Sequence, residues 1–354
     1  MSSLGERGIP RFRVRTIESP PYTVDRSRLR RFNSKQIVFD RITWDSSWKG
    51  YMCMYDEHVL EMVSEGKPGY SRLDFALAYA SWIVHDAFEG GFSWKKIKLN
   101  RTPVATIGID WTKPRYEADD PHKISNHIKR AANLFGASQV GICRLNRDWI
   151  YADADISEKF ENVIVFAVEM DANGIAASPA VPAAVATGLG YSKMAFILAL
   201  MGEFIRNLGY EALQCGNDTA LSIPLAIDAG LGELGRNGLL ITPKNGPRVR
   251  LCKIFTDLPL ESDTPIEFGV KKFCKKCKLC AENCETDAIS MDDEPSFEIA
   301  CRSNNPGVLK WYVDVERCYL YWCENGIDCS TCIKVCPYNI ASSPRPARDT
   351  ERKL

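Results

Sequence analysis

From Ile124 onward the apolar positions change period repeatedly, between the 3.6 of a helix and the 2 of a strand. The pattern predicts a helix over Ser125–Phe135, a strand over Gln139–Arg144 and a second, strongly apolar strand over Asn162–Glu169. Gly190–Leu208 reads as a long amphipathic helix closed by Gly209, a residue suited to the left-handed position that ends many helices. A strand over Tyr210–Gln214, a helix over Ser222–Ala229 and strands over Gly238–Thr242 and Arg250–Asp257 complete the alternation. After Gly269 the character changes to cysteines separated by short polar links, so a domain boundary is placed there. The stretch before Ile124 is marked instead by aromatic residues. Trp44, Trp48, Trp82, Trp94, Trp111 and Trp149 all precede residue 150, and most such rings are core. Three regions result: 1–123, 124–269 and 270–354.

Composition narrows the class without naming an activity. The chain has 354 residues, 45% apolar and 25% charged, as expected of a globular protein with a sizeable core. Lys+Arg and Asp+Glu are equal at 45 each, so nothing global points to nucleic acid. The best apolar run, Ala195–Met201, is far shorter than the roughly 20 residues that span a bilayer, and no transmembrane segment is expected. Arg30-Arg31-Phe32 superficially resembles a twin-arginine export signal, but Asp40, Arg41 and Asp45 stand where an apolar region should follow. The basic excess of residues 1–50 is read as a solvated arm.

The informative count is 14 cysteines, 10 of them between Cys274 and Cys336. Cys274-x2-Cys277-x2-Cys280-x3-Cys284 is the spacing with which a bacterial ferredoxin loop holds a 4Fe–4S cubane, its fourth cysteine turned toward a neighbouring cluster. Cys329-x2-Cys332-x3-Cys336-Pro337 is a second copy lacking its first nearby cysteine. Glu285 stands where proline often follows the fourth cysteine, a departure that does not touch ligand geometry. Zinc rarely uses such a run, and this tight spacing disfavours disulfides. Crossover assigns Cys274, Cys277, Cys280 and Cys336 to one cluster, and Cys284, Cys329 and Cys332 to the other. The missing ligand is Cys318 or Cys323, with Cys301 a distant third. Two cubanes make an electron wire, so the rest of the chain must hold what the electrons are for.

Ala229 to Gly238 contains a formal G-x-G-x-x-G, but it follows a helical stretch and precedes a strand, the reverse of a dinucleotide fold. A loop letting backbone approach a large cofactor is preferred, through Gly232, Gly235, Asn237 and Gly238. Together with Cys215-Gly216-Asn217-Asp218-Thr219, Ile241-Thr242-Pro243, Gly246-Pro247-Arg248-Val249-Arg250 and Thr256-Asp257-Leu258-Pro259-Leu260, this run resembles the corrinoid- and iron–sulfur-dependent reductive dehalogenases. Arg31-Phe32 and Phe39-Asp40-Arg41 through Trp44-Asp45 are similar to the start of that family's mature chain.

The resemblance implies an α/β (α+β) fold: a nitroreductase-like corrinoid-binding domain followed by a ferredoxin domain with two 4Fe–4S clusters. It implies a cobalamin held base-off with no protein ligand, and none of His58, His85, His122 and His127 lies in a D-x-H-x-x-G pattern. It favours Cys318 over Cys323, through Cys318-Tyr319-Leu320-Tyr321-Trp322. It points to Tyr191 as proton donor, because a phenol, though a weak acid, yields its proton to a strongly basic carbanion. Arg250 is the candidate to stabilise the phenolate, and Asn217 to hold the phenol or the leaving halide. Of Arg248 and Arg250, read as facing opposite ways, only one is expected to face the pocket, and Arg250 is chosen. Thr187 shares the face of Tyr191 if the helix begins early enough. Trp44 and Trp48 are suggested as apolar lining for the substrate.

The expected partners are a small organohalide and an electron donor, with no nucleic acid; the resemblance leaves room for a small membrane-anchor protein and a homodimer. It places the enzyme on the outer face of the cytoplasmic membrane if an export leader has been removed, and in the cytoplasm if this chain is complete. Two other readings stand beside it. An epoxyqueuosine reductase also pairs a corrinoid with two cubanes, but uses an acidic catalytic residue; an electron-transfer protein would have no substrate of its own.

Overall fold

The computed structural model describes residues 12–54, 58–87 and 115–342, so Trp94 and Trp111 lie outside the described residues. Its centre is a four-stranded antiparallel sheet of β1 (Gln139–Arg144), β2 (Asn162–Glu169), β3 (Ala212–Cys215) and β6 (Val249–Thr256), in the order β1-β2-β6-β3. A two-stranded hairpin, β4 (Glu233–Leu234) with β5 (Leu240–Ile241), lies outside it. The first two strands have the bounds that the sequence pattern predicts. The span expected over Gly238–Thr242 shrinks to two residues, and that over Tyr210–Gln214 moves to Ala212–Cys215.

Side chains alternate across a strand, so each strand feeds both faces of the sheet. One face carries Ile142, Ile164, Phe166 and Ile254 against α2 (Pro121–Leu134) and α3 (Val181–Asn207). The other carries Cys143, Val163, Val165 and Phe255 against α4 (Ser222–Asp228). The result is three layers with a sheet buried on both sides, which accounts for the nearly unbroken apolar run of β2. A further helix, α1 (Arg72–Ala87), packs along α3.

Two helix starts differ from expectation. Helix α2 begins at Pro121 because Asp120 caps it, accepting from the Lys123 amide, and proline suits a first helical position. Helix α3 begins at Val181 rather than Gly190, so Gly188 and Gly190 lie inside it. By length and composition alone the longer α3 could cross a bilayer. Its most apolar window is 61% buried inside the fold, however, and it serves as the central core helix.

The cysteine-rich part begins at α5 (Val270–Lys276), directly after Gly269, and includes α6 (Val315–Asn325) and the short helix Thr331–Lys334. The N-terminal segment straps it to the sheet layers. Arg15–Thr16 pairs with Ile266–Glu267, and Phe12 packs on Phe268 and Tyr338.

Candidate active site

A cavity of about 970 Å³ opens between α1, the first half of α3, the loop after β3 and the end of α6. Extending α3 back to Val181 places Thr187 one turn before Tyr191, so both side chains line this cavity. The Tyr191 ring stacks on Trp82 with centroids 4.8 Å apart and meets His85 edge-on. The Asn217 amide donates to the Tyr191 phenolic oxygen at 2.5 Å. The Arg250 guanidinium lies 5.0 Å from the centre of the same ring and donates to the Thr187 hydroxyl at 3.0 Å. Gly190 is where Arg250 passes the helix: a Cβ there would stand 3.0 Å from Arg250 Cγ. Tyr191, Asn217, Arg250 and Thr187 are therefore brought together, from three separate elements.

The two arginines part because Arg248 lies just before the first residue of β6; within a strand, residues two apart would share a face, which corrects the expected alternation. Arg250 turns toward α3, whereas Arg248 is buried on the other side, bound to Glu169, Asn339 and the Met170 carbonyl. The Asn217 loop is held from beneath. Lys253, wholly buried, donates to the Gly216 carbonyl at 2.7 Å and to Ser222 Oγ at 3.0 Å. The Tyr151 hydroxyl donates to the Asn217 carbonyl at 3.0 Å. Burial pushes the Lys253 ammonium down and the neighbouring Asp218 carboxyl up, each opposed by the other's charge.

Asp328, which belongs to no sequence motif, also lines the cavity. Burial raises its carboxyl, opposed by the Arg250 charge and the Thr187 hydroxyl. Its Oδ1 and the Arg250 Nε are both buried without a hydrogen-bond partner. A large cavity with unsatisfied polar atoms on one wall fits a large polar cofactor such as a corrinoid. Trp82 and His85 were missed as well; their helix lies in the stretch read only as aromatic-rich.

Two expectations are corrected. Trp44 and Trp48 do not line the cavity. The Trp44 indole donates to the Lys35 carbonyl at an exposed site, and Trp48 packs with Val38, Ile42 and Tyr319 under the Arg41 guanidinium. Their segment reaches the cavity through Ile37 and Phe39 instead, beside Trp82 and Trp322. The glycine-rich run also lies elsewhere. Gly232, Gly235, Asn237 and Gly238 belong to the β4–β5 hairpin, and none lines the large cavity. Gly235 and Asn237 instead border a small chamber walled by Cys274, Cys277, Cys280 and Cys336.

That chamber is the first of two cysteine groups. The half-buried Cys280 thiol has Cys274, Cys336 and Cys277 as its charge neighbours. The second group surrounds Cys332, raised well above the ordinary thiol value by burial and then by Cys318, Cys280, Cys329 and Cys284. Cys323 stands apart, its sulfur bonded to Cys53, and Cys301 lies beside Glu316. Among the described residues no group of three or more His, Cys, Asp or Glu is set to hold a single metal ion. A cubane differs, because each thiolate binds a different iron and the ligands stand around the inorganic core. Two quartets of soft donors fit that group.

Residues 273–340 match the family model described as a 4Fe-4S dicluster domain. The chain is 45% identical over 298 residues to a tetrachloroethene reductive dehalogenase of Desulfitobacterium hafniense, covering 71% of this chain and 53% of the relative. It is 32% identical to the tetrachloroethene reductive dehalogenase of Sulfurospirillum multivorans, covering 81% of this chain and 67% of that one. The chain belongs to the reductive dehalogenase family. A solved structure of the catabolic reductive dehalogenase NpRdhA superimposes with a TM-score of 0.69 at 25% identity, over 92% of this chain and 44% of that one. The dehalogenase fold observed is thus mixed α/β with a ferredoxin-like dicluster region, as the resemblance implies. The chain spans about half the length of the first of these curated relatives.

Proposed function

We propose that this chain removes halogen from a small organohalide, R–X + 2 e⁻ + H⁺ → R–H + X⁻. The observation that carries the reading is the convergence of Tyr191, Asn217 and Arg250 on a cavity whose wall includes Asp328, the residue next to Cys329. A corrinoid in that cavity, base-off, supplies a strong and soft two-electron reductant for the carbon–halogen bond. Electrons reach it through two 4Fe–4S clusters, one on Cys274, Cys277, Cys280 and Cys336, the other on Cys284, Cys318, Cys329 and Cys332. In this reading no histidine of the chain would hold the cobalt; His85, the one histidine among the described residues that lines the cavity, packs edge-on against Tyr191 with Nδ1 3.2 Å from Asp86.

Tyr191 is the proton donor. Its oxygen already accepts from Asn217, which leaves the O–H hydrogen free to move to the substrate carbon. The phenolate left behind keeps the Asn217 N–H and gains the Arg250 charge over its ring, both in place before the reaction. Thr187 acts at the substrate side of the cavity and fixes the guanidinium of Arg250. Trp82 and Phe39 supply apolar wall that excludes water from a basic carbanion.

In this reading residues 1–123 close the pocket, 124–269 bind the corrinoid and 270–354 carry the clusters. An electron donor docks at the cluster region. The working enzyme sits on the outer face of the cytoplasmic membrane when an export leader precedes this stretch, with a small membrane-anchor protein and a second copy of itself as partners.

The test is anaerobic reconstitution with cobalamin, followed by a halide-release screen over chlorinated and brominated ethenes, ethanes and phenols with a reduced viologen as donor. Halide release by the wild type and its loss in Tyr191→Phe, with corrinoid and iron retained, supports the assignment. Unchanged turnover in that variant sinks Tyr191 as donor. A protein that holds both clusters but no extractable corrinoid is an electron carrier instead.

A further inference from the structure

The chamber between Cys274, Cys277, Cys280 and Cys336 has one polar side chain whose hydrogen-bonding is incomplete. Asn237 is 7% exposed, and its Oδ1 accepts from the Leu239 amide at 3.3 Å. That contact fixes which way the amide faces, and its Nδ2 is left buried without a partner. The hairpin turn makes room for this orientation. A Cβ at Gly235 would stand 2.8 Å from Asn237 Oδ1, so a side chain there would displace the amide. The neighbouring Arg236 cannot serve in its stead: its guanidinium N–H groups go to the carbonyls of Cys274, Ser290 and Asp292.

A buried amide N–H with no acceptor is rare unless the acceptor belongs to a bound group. Here the group that four thiols would hold is rich in sulfide and thiolate, both acceptors for an N–H. We propose that Asn237 donates a hydrogen bond from Nδ2 to a sulfur of the cluster held by Cys274, Cys277, Cys280 and Cys336, and thereby raises that cluster's reduction potential. This rests on the two-cluster reading given above.

The physical reason lies in the charge that changes. Each electron added makes the cluster more negative, and a donor aimed at its sulfur stabilises the reduced form more than the oxidised form. In the second quartet other groups reach the sulfurs: the Thr331 backbone amide and hydroxyl lie 3.4 and 3.3 Å from Cys329 Sγ, and Thr286 Oγ1 lies 3.8 Å from Cys284 Sγ. Substitution of Asn237 touches none of these, so the two clusters separate in one experiment.

Wild type and Asn237→Leu, both reconstituted with iron and sulfide, are titrated by EPR at poised potentials. Leucine keeps the approximate shape and removes the donor. The expected result is full iron and sulfide content in both proteins, with one midpoint moved to more negative potential. A tenfold loss in the one-electron equilibrium corresponds to about 59 mV, and the other midpoint stays in place. Two unchanged midpoints at full iron content overturn the proposal. Wild-type protein carrying less than two clusters' worth of iron overturns instead the two-cluster reading beneath it.

A measurement on the wild type covers the case in which leucine prevents cluster insertion. Protein grown with asparagine labelled with 15N at the side-chain amide alone, because the Asn339 backbone amide also lies at the Cys336 sulfur, is reduced until one cluster is paramagnetic and studied by pulsed EPR. Asn237 is the one asparagine that walls this chamber among the described residues, and its labelled nitrogen should couple to the electron spin. No 15N coupling at either cluster overturns the proposal, whatever the variant does.

Discussion

The two working regions of this molecule are assembled by opposite means. All eight cysteines of the two quartets fall between Cys274 and Cys336, most of them with only two or three residues between one and the next. Tyr191, Asn217 and Arg250 come from a helix, a loop and a strand, and meet only because α3 packs across the sheet. An inorganic cluster bonds its ligands directly, so spacing along the chain does most of the placing. A phenol held by an amide and a guanidinium depends on long-range packing, and each contact contributes separately. Damage to the first region should be all-or-none, and damage to the second graded.

The largest effect is expected from the cysteines. Cys318→Ser should lose the second cluster, seen as about half the iron and the disappearance of one EPR signal, with halide release falling to background. Cys323→Ser should keep both clusters, since that sulfur is bonded to Cys53 rather than facing Cys332. The reverse outcome would exchange their roles.

Next comes Tyr191→Phe, which leaves the Trp82 stack intact and removes one proton. Turnover should fall by about 10²- to 10⁴-fold, the usual worth of a positioned general acid. Arg250→Lys keeps a charge but loses the planar fork that reaches Thr187 while covering the Tyr191 ring. A drop of about 10²-fold in kcat, with corrinoid content unchanged, is expected by analogy with the loss of one charge-stabilising donor. Asn217→Ala should cost about fivefold, in line with a hydrogen bond worth roughly 1 kcal/mol. If all three variants fell equally to background, the graded picture of this region would be wrong.

The smallest effect belongs to Trp44. Its exposed ring lies away from the cavity, so Trp44→Ala should change stability by no more than about 0.5 kcal/mol in a denaturant titration. Halide release should stay within about twofold, because a shift of 0.4 kcal/mol is about a factor of two. Trp82→Ala, by contrast, removes the ring on which Tyr191 stacks and should lower turnover clearly.

The same division explains what could be read from the sequence. Strands β1 and β2 were legible to the residue, because a sheet buried on both faces leaves long apolar runs with sharp polar ends. The cysteine spacing suggested two quartets, but the parting of Arg248 from Arg250 was not legible in strand periodicity, which puts residues two apart on one face; it arises because Arg248 lies just before β6 begins. The start of α3 was not legible, since Gly188 and Gly190 look like punctuation when their neighbours are unknown. Nor was α1. Leu73, Leu77 and Ile83 are exposed while Phe75 and Ala78 are buried, so its apolar residues form no single stripe. Its Trp82 and His85 therefore could not be placed at the cavity. Tyr191 and Asn217 entered through family resemblance, because a tyrosine in a helix and an Asn-Asp turn have no chemistry until they face each other. The glycine-rich run shows the remaining limit: glycine reports that something comes close, without saying what. Here it is the wall of a cysteine chamber rather than the large cavity.

Asp328 and Cys329 are successive residues, one walling the large cavity and the other belonging to the second quartet. The backbone between them is held on both sides, by the Asn325 amide on the Ile327 carbonyl and by the Ser330 N–H on Ser178 Oγ. A cluster on Cys329, Cys332, Cys284 and Cys318 would add one more tie beside the cavity wall. Cobalamin offered after iron and sulfide should therefore be retained better through gel filtration than cobalamin offered to the iron-free chain.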